Sequence, residues 1–167
     1  IINLNGKYIR NKVQNKLTDV IVVREGATLT VNGNGSIEAV SGNDGYAIIS
    51  EGTVIINGGT YTNVDAGDDD HYDLIYAGSR AGNGGTVTIN GGTFTGGVVN
   101  SGTASLSNAS FSGGTDGNAI STTGALTISG ITVDGKLSEE GWQLNTRVLD
   151  GQKMLQGKFG AQWTKDT

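Results

Sequence analysis

The sequence predicts an all-β chain wound as a solenoid of about six stacked coils, and three observations predict it. One phrase recurs along most of the chain. Within each copy, apolar residues alternate with Thr, Ser or another small residue. Glycine, at 29 of 167 residues, punctuates the copies, while proline and cysteine are absent. Alternation with a period of two marks a half-buried strand, whereas a helix would repeat near 3.6. Unequal steps averaging in the low twenties suit coils whose strands stack in register while their loops vary in length.

The copies follow in chain order. Ile2-Asn3-Leu4-Asn5-Gly6-Lys7-Tyr8 fits as the first with one residue fewer, and Leu29-Thr30-Val31-Asn32 leading to Ile37 is the second. The clearest two are Gly52-Thr53-Val54-Ile55-Ile56-Asn57-Gly58-Gly59-Thr60-Tyr61-Thr62 and Gly85-Thr86-Val87-Thr88-Ile89-Asn90-Gly91-Gly92-Thr93-Phe94-Thr95. Degenerate copies run from Gly102 to Phe111 and from Gly124 to Val133. Short apolar strands sit between them: Val20 to Val23, Ala47 to Ile49, Leu74 to Tyr76, Val98-Val99 and Ala119-Ile120. Stacking these places Val54, Ile56, Val87, Ile89, Leu106 and Leu126 inside, with an inner column of Tyr8, Ile37, Tyr61, Phe94, Phe111 and Val133. An antiparallel sandwich of the same strands is the competing arrangement.

A second column predicts the corners. Asn5, Asn32, Asn57, Asn90, Ser107 and Ser129 occupy equivalent positions after the inward residues. Stacked side-chain amides hydrogen-bond from coil to coil, and Asn tolerates the left-handed backbone of a tight corner. Outward threonines at 60, 62, 86, 88, 93 and 95 are not continued at Ser110, Ser112 and Asp134, so they suit strand propensity and solubility better than an ice-matching array.

The repeat occupies residues 1–135. From Lys136 the composition changes: both tryptophans, the single Met and several large apolar residues fall in residues 136–167. An open solenoid end exposes strand edges and apolar core, so this segment is expected to be a β-rich cap or oligomerisation segment, with Trp142, Leu144, Met154, Phe159 and Trp163 as its assembly residues.

Composition excludes other classes. Without cysteine there is no disulfide scaffold, without a proline-bearing Gly-X-Y period there is no collagen helix, and no run of about 20 apolar residues exists to cross a membrane. The formal charge of −5 is uneven. Residues 25–135 carry eleven acids against Arg80 alone, whereas residues 1–24 carry five bases against Asp19. An acidic body repels phosphates, so no nucleic-acid partner is expected. The start at Ile1 points to a processed or longer polypeptide.

The rungs resemble right-handed parallel β-helix proteins of the broad pectate-lyase-like class. Asp44-Gly45-Tyr46-Ala47-Ile48-Ile49, then Gly52 to Tyr61, then Asp69-Asp70-His71-Tyr72-Asp73-Leu74-Ile75-Tyr76 is similar to solenoids in virion proteins of bacteriophages of gut bacteria, such as head fibres and tail-fibre or spike components. The resemblance covers residues 1–135. It implies a right-handed parallel β-helix, a virion-surface location and a structural, decorating or adhesive role on host or mucosal glycans. It further implies assembly as a homotrimer with other virion proteins as partners. Secreted bacterial surface adhesins use similar rungs and are one alternative; a glycan-degrading tailspike or polysaccharide lyase is another.

The densest polar constellation is residues 65–73. Asp70, His71, Tyr72, Asp73, Tyr76 and Arg80 are the candidate carbohydrate contacts, with the tyrosines offering ring faces to a sugar. Two carboxylates about 5 Å apart repel by about 3 kcal/mol at an effective dielectric near 20, which a calcium ion would relieve; Asp65, Asp68, Asp69 and Asp70 are the candidates. Their spacing departs from the Asp-x-Asp-x-Asp-Gly loop with its distal Glu, so a solvated acidic loop is the expectation. Glycan hydrolysis would use two of Asp68, Asp70 and Asp73 with Arg80 as clamp. One histidine in the chain and one arginine in residues 25–135 give such chemistry thin support, so no catalytic residue and no cofactor are expected.

Overall fold

The computed structural model describes residues 1–11, 19–40, 46–64, 73–78, 84–112, 118–122, 124–134, 136–139, 142–145, 148–149, 152–154 and 163–165. All regular structure among them is β. Six coils of three strands follow one another. The first is β1 (Ile2–Asn3), β2 (Tyr8–Arg10) and β3 (Ile21–Val23). The second is β4 (Thr28–Asn32), β5 (Ser36–Val40) and β6 (Ile48–Ser50), and the third β7 (Thr53–Ile56), β8 (Thr60–Val64) and β9 (Asp73–Ala77). The fourth is β10 (Thr86–Ile89), β11 (Gly92–Thr95) and β12 (Gly97–Asn100), and the fifth β13 (Thr103–Ser107), β14 (Ala109–Ser112) and β15 (Asn118–Thr122). The sixth is β16 (Ala125–Ser129), β17 (Ile131–Asp134) and β18 (Lys136–Glu139). Each strand pairs in parallel with its counterpart one coil away, giving three sheets in the orders β1-β4-β7-β10-β13-β16, β2-β5-β8-β11-β14-β17 and β3-β6-β9-β12-β15-β18. This is the parallel β-helix expected from the repeat, and no antiparallel sandwich forms.

Alternation builds the core. In β7 and β10 the inward residues Val54, Ile56, Val87 and Ile89 are fully buried, while Thr53, Ile55, Thr86 and Thr88 face out. Each such apolar side chain contributes about 1.5–3 kcal/mol on burial. In the second sheet the Tyr61 and Phe94 rings stack at 4.7 Å and 7°, and Phe94 and Phe111 at 4.9 Å and 16°. That spacing is the interstrand distance itself, so in-register aromatics stack without displacement. The Tyr61 hydroxyl donates to Gly58 O at 3.0 Å, and burial pushes its phenol well above the ordinary tyrosine range.

The first coil differs from expectation. Val31 and Asn32 pair with Ile2 and Asn3, and Ile37 pairs with Ile9. Thus Ile9, not Tyr8, heads the inner column, and Tyr8 is 67% exposed. Asn3, not Asn5, heads the asparagine column. The cause is a tight turn over Leu4–Lys7, closed by Lys7 N donating to Leu4 O at 2.8 Å, with positive φ at both central residues, Asn5 (48°) and Gly6 (72°). At the other end Leu126 faces inward, in register with buried Ala104 and packed against the core cluster, and it is half-buried because among the described residues no strand follows β16 in its sheet.

The asparagine column is a hydrogen-bonded ladder over four coils. Each Nδ2 donates to the Oδ1 one coil earlier: Asn32 to Asn3 at 3.1 Å, Asn57 to Asn32 at 2.8 Å and Asn90 to Asn57 at 2.8 Å. Asn32, Asn57 and Asn90 are not left-handed; the positive φ falls on glycines that follow, Gly33 (97°) and Gly58 (146°). Ser107 and Ser129 are in register with each other, but the Ser107 hydroxyl is too short to bridge side chains and donates to Ile89 O at 3.1 Å. The ladder therefore ends at Asn90.

The corner between the third and first sheets is built from buried polar groups that the sequence reading missed. Ser50, Asn100 and Thr122 are each 1% exposed or less. Asn100 Nδ2 donates to Thr122 Oγ1 and Ala125 O, both at 2.9 Å, while its Oδ1 accepts from Gly102 N at 3.1 Å. Ser50 Oγ donates to Gly52 O at 3.0 Å and lies 3.1 Å from Thr86 O. Gly52 O also accepts from Thr86 N, and Gly102 N also donates to Ala77 O, so these side chains add bonds across the corner to backbone groups that the coil-to-coil ladders already pair.

The parallel stack continues to Glu139, past the boundary expected at residue 135. The chain then reverses. β19 (Trp142–Asn145) pairs antiparallel with β18, and β20 (Val148–Leu149) antiparallel with β17, so the third and second sheets are closed in turn. β21 (Gln152–Met154) and β22 (Trp163–Lys165) form a separate hairpin with Met154 opposite Trp163. Phe159 lies outside the described residues.

Candidate ligand-presenting face

The irregular coil length has a location. Between the first and second sheets the connections are short, narrowing to Asn108 and Gly130 in the last two coils. Between the second and third sheets they span residues 11–20, 41–47, 65–72, Gly96, 113–117 and residue 135. The third coil carries a second long connection, residues 78–85, after β9. Parallel pairing fixes the strands and leaves the corners free to vary, so the long connections fall mostly at the corner between the second and third sheets, and 78–85 alone at the corner between the third and first.

The outer face of the third sheet lies beside that corner. Register aligns Val22, Ile49, Tyr76 and Val99 in one outward column. A shift at Gly97/Val98 leaves Leu74 as an extra, buried residue ahead of Ile75 and sets Tyr76 outward. Val22 is 38% exposed, yet Ile49 is 1% exposed and stands outside the interior cluster, so this face carries apolar burial of its own.

Tyr76 stacks on Tyr46, with ring centroids 5.4 Å apart and planes at 26°. Both rings are half-buried. Tyr46 is set by its backbone: its N–H donates to Asp19 Oδ1 at 3.0 Å and its carbonyl accepts from Val20 N at 2.9 Å, tying coil two to coil one. The Ser101 hydroxyl lies 3.2 Å from the Tyr76 phenol oxygen and 3.3 Å from Ala77 O. Ring faces with flanking hydroxyls are chemistry suited to polyhydroxylated ligands, whose C–H faces pack on rings while their hydroxyls exchange hydrogen bonds.

Of the candidate carbohydrate contacts, Tyr76 is on this face. Asp73 opens β9, opposite Gly97. Asp70, His71, Tyr72 and Arg80 lie outside the described residues, as do the calcium candidates Asp65, Asp68, Asp69 and Asp70. Among the described residues no group of three His, Cys, Asp or Glu side chains is placed to hold a metal ion. Tyr46, Asp19 and Ser101 join the face without having been singled out from sequence. The available signal was the coil step, because Tyr46 stands three residues before Ile49, the register partner of Tyr76.

Comparison with known proteins identifies no relative: no family model, no curated protein and no solved structure matches the chain.

Proposed function

We propose that the chain is a non-catalytic attachment solenoid, carried on the surface of a bacteriophage virion as a head-fibre or tail-fibre component, that presents its loop-bearing corner to host or mucosal glycans. One observation carries the reading: Tyr46 and Tyr76 stack on the outer face of the third sheet, with Tyr76 in the strand that stands between the two long connections of coil three in sequence. The resemblance of the rungs to phage β-helices supplies the virion setting, and the stiff stack supplies the display. In this reading the tail after Glu139 joins copies, as a homotrimer, and docks on other virion proteins.

The test is binding of the purified chain to arrayed mucin-type and bacterial surface glycans. Expected is retention on a subset, weakened at least about tenfold by Tyr76→Ala with the melting temperature held. Absence of binding to every glycan class, or release of reducing or unsaturated sugars, overturns the adhesive reading. Immunogold labelling of phage particles checks the virion location; labelling of bacterial envelopes instead would favour a surface adhesin.

A further inference from the structure

We propose that Asn5 is a site of spontaneous covalent modification: it loses ammonia and converts to aspartate and isoaspartate, while the same Asn-Gly dipeptide elsewhere in the stack stays intact. The reaction needs no reagent beyond water. The backbone nitrogen of the following residue attacks Cγ, a C–N bond forms, the Cγ–Nδ2 bond breaks, and ammonia leaves with the displaced amide proton. Water then opens the resulting five-membered imide at either carbonyl. Glycine in the following position leaves the attacking nitrogen unhindered.

Five Asn-Gly pairs fall wholly within the described residues, at 5–6, 32–33, 34–35, 57–58 and 90–91. Sequence makes them equivalent, and the fold does not. Asn32, Asn57 and Asn90 each have their Nδ2 engaged on the preceding coil at 2.8–3.1 Å, so rotating the amide towards its own backbone breaks the ladder. Asn34 makes no side-chain hydrogen bond among the described residues, but its neighbour is wedged: a Cβ on Gly35 would lie 2.0 Å from Lys7 O, and Gly35 O accepts from Thr60 N at 2.9 Å. The attacking nitrogen there cannot swing.

Asn5 has neither restraint. It is exposed, its amide has no hydrogen-bond partner among the described residues, and nothing lies within 4 Å of a Cβ built on Gly6. Its φ of 48° is a conformation that an L-residue adopts at a cost, and the Lys7 N to Leu4 O bond closes the turn. The turn joins β1 to β2, which among the described residues each pair with one neighbouring strand, β4 and β5. Conversion adds negative charge beside Lys7. The isoaspartate form lengthens the backbone of the turn that sets the offset between Asn3 and Ile9, and loosens β1 from β4.

The test is timed incubation of the folded chain in warm, mildly alkaline buffer, with position-resolved mass spectrometry and enzymatic detection of isoaspartate. Expected is conversion at position 5 at least about tenfold faster than at 32, 34, 57 and 90, with the rates converging in denaturant. Asn32→Ala, which removes the acceptor for Asn57, should accelerate position 57 selectively. Equal rates at the five positions in the folded chain, or faster conversion at 57 or 90 than at 5, overturns the proposal. An unchanged rate at 57 in Asn32→Ala refutes the protection by the ladder.

Discussion

Asn90 donates its side-chain amide to Asn57 across 33 residues of sequence, at 2.8 Å. The two sit one above the other because Ile89 and Ile56 are in register just before them. The ladder they belong to has a direction, with every amide nitrogen pointing towards the first coil.

That direction makes substitutions unequal. Asn3 only accepts within the ladder, so Asn3→Asp keeps the acceptor and is expected to be nearly neutral. Asn90 donates, so Asn90→Asp turns a carboxylate oxygen on Asn57 Oδ1 and is expected to cost about 1 kcal/mol, a fall of about 2–4 °C in melting temperature. Thermal unfolding of the two variants side by side checks the ordering; equal losses would contradict it.

The aromatic stack should tolerate truncation poorly. Phe94→Ala removes the ring between Tyr61 and Phe111 and is expected to cost about 3–5 kcal/mol, measured by denaturant unfolding. Ile89→Asp places an unpaired charge in a dry core and should leave no folded population.

Acid should weaken the junction of the first two coils. Glu38 accepts from Arg10 Nε at 2.7 Å and from Ser36 Oγ at 2.8 Å, and the guanidinium, then the hydroxyl, hold its carboxyl below the usual 4.5. A depressed carboxylate stabilises the fold at pH above its ordinary value, and the gain is lost as pH falls through its folded value. Glu38→Gln should therefore melt lower than the parent at neutral pH, by no more than about 1 kcal/mol for this exposed pair, and the gap should close below 4.5. A gap that widens in acid would refute the assignment.

Assembly should reside after Glu139. Trp142→Ala with Trp163→Ala is expected to shift the chain towards monomer in sedimentation or light scattering, with the parallel stack retained by circular dichroism. A parent chain that is already monomeric at micromolar concentration removes this expectation.

The architecture was legible because strand alternation and coil recurrence act over many residues and agree. What failed was local. The first copy was aligned two residues late at the asparagine column and one residue early at the inner column, since Asn5-Gly6 imitates the Asn-Gly of the ladder while serving a different turn. The buried Ser50, Asn100 and Thr122 carry no apolar signal, and the bonds they make exist only where the corner brings successive coils together. The candidate face joins Tyr46 to Tyr76 through register, which no short window of sequence contains. The acidic run was conspicuous in sequence, and most of it lies outside the described residues.

The gathering of long connections along one corner turns the molecule into a ruler. Successive coils rise by about 4.8 Å, so the connections of coils one, two, three and five mark fixed divisions along the axis, and Gly96, the whole connection of coil four, is a blank between two of them. A peptide grafted in place of residues 113–117 would stand two divisions, roughly 10 Å, from one grafted at 65–72, whatever the length of either. Spacing is set by the backbone ladders and content by the insertions, and the two can be engineered separately.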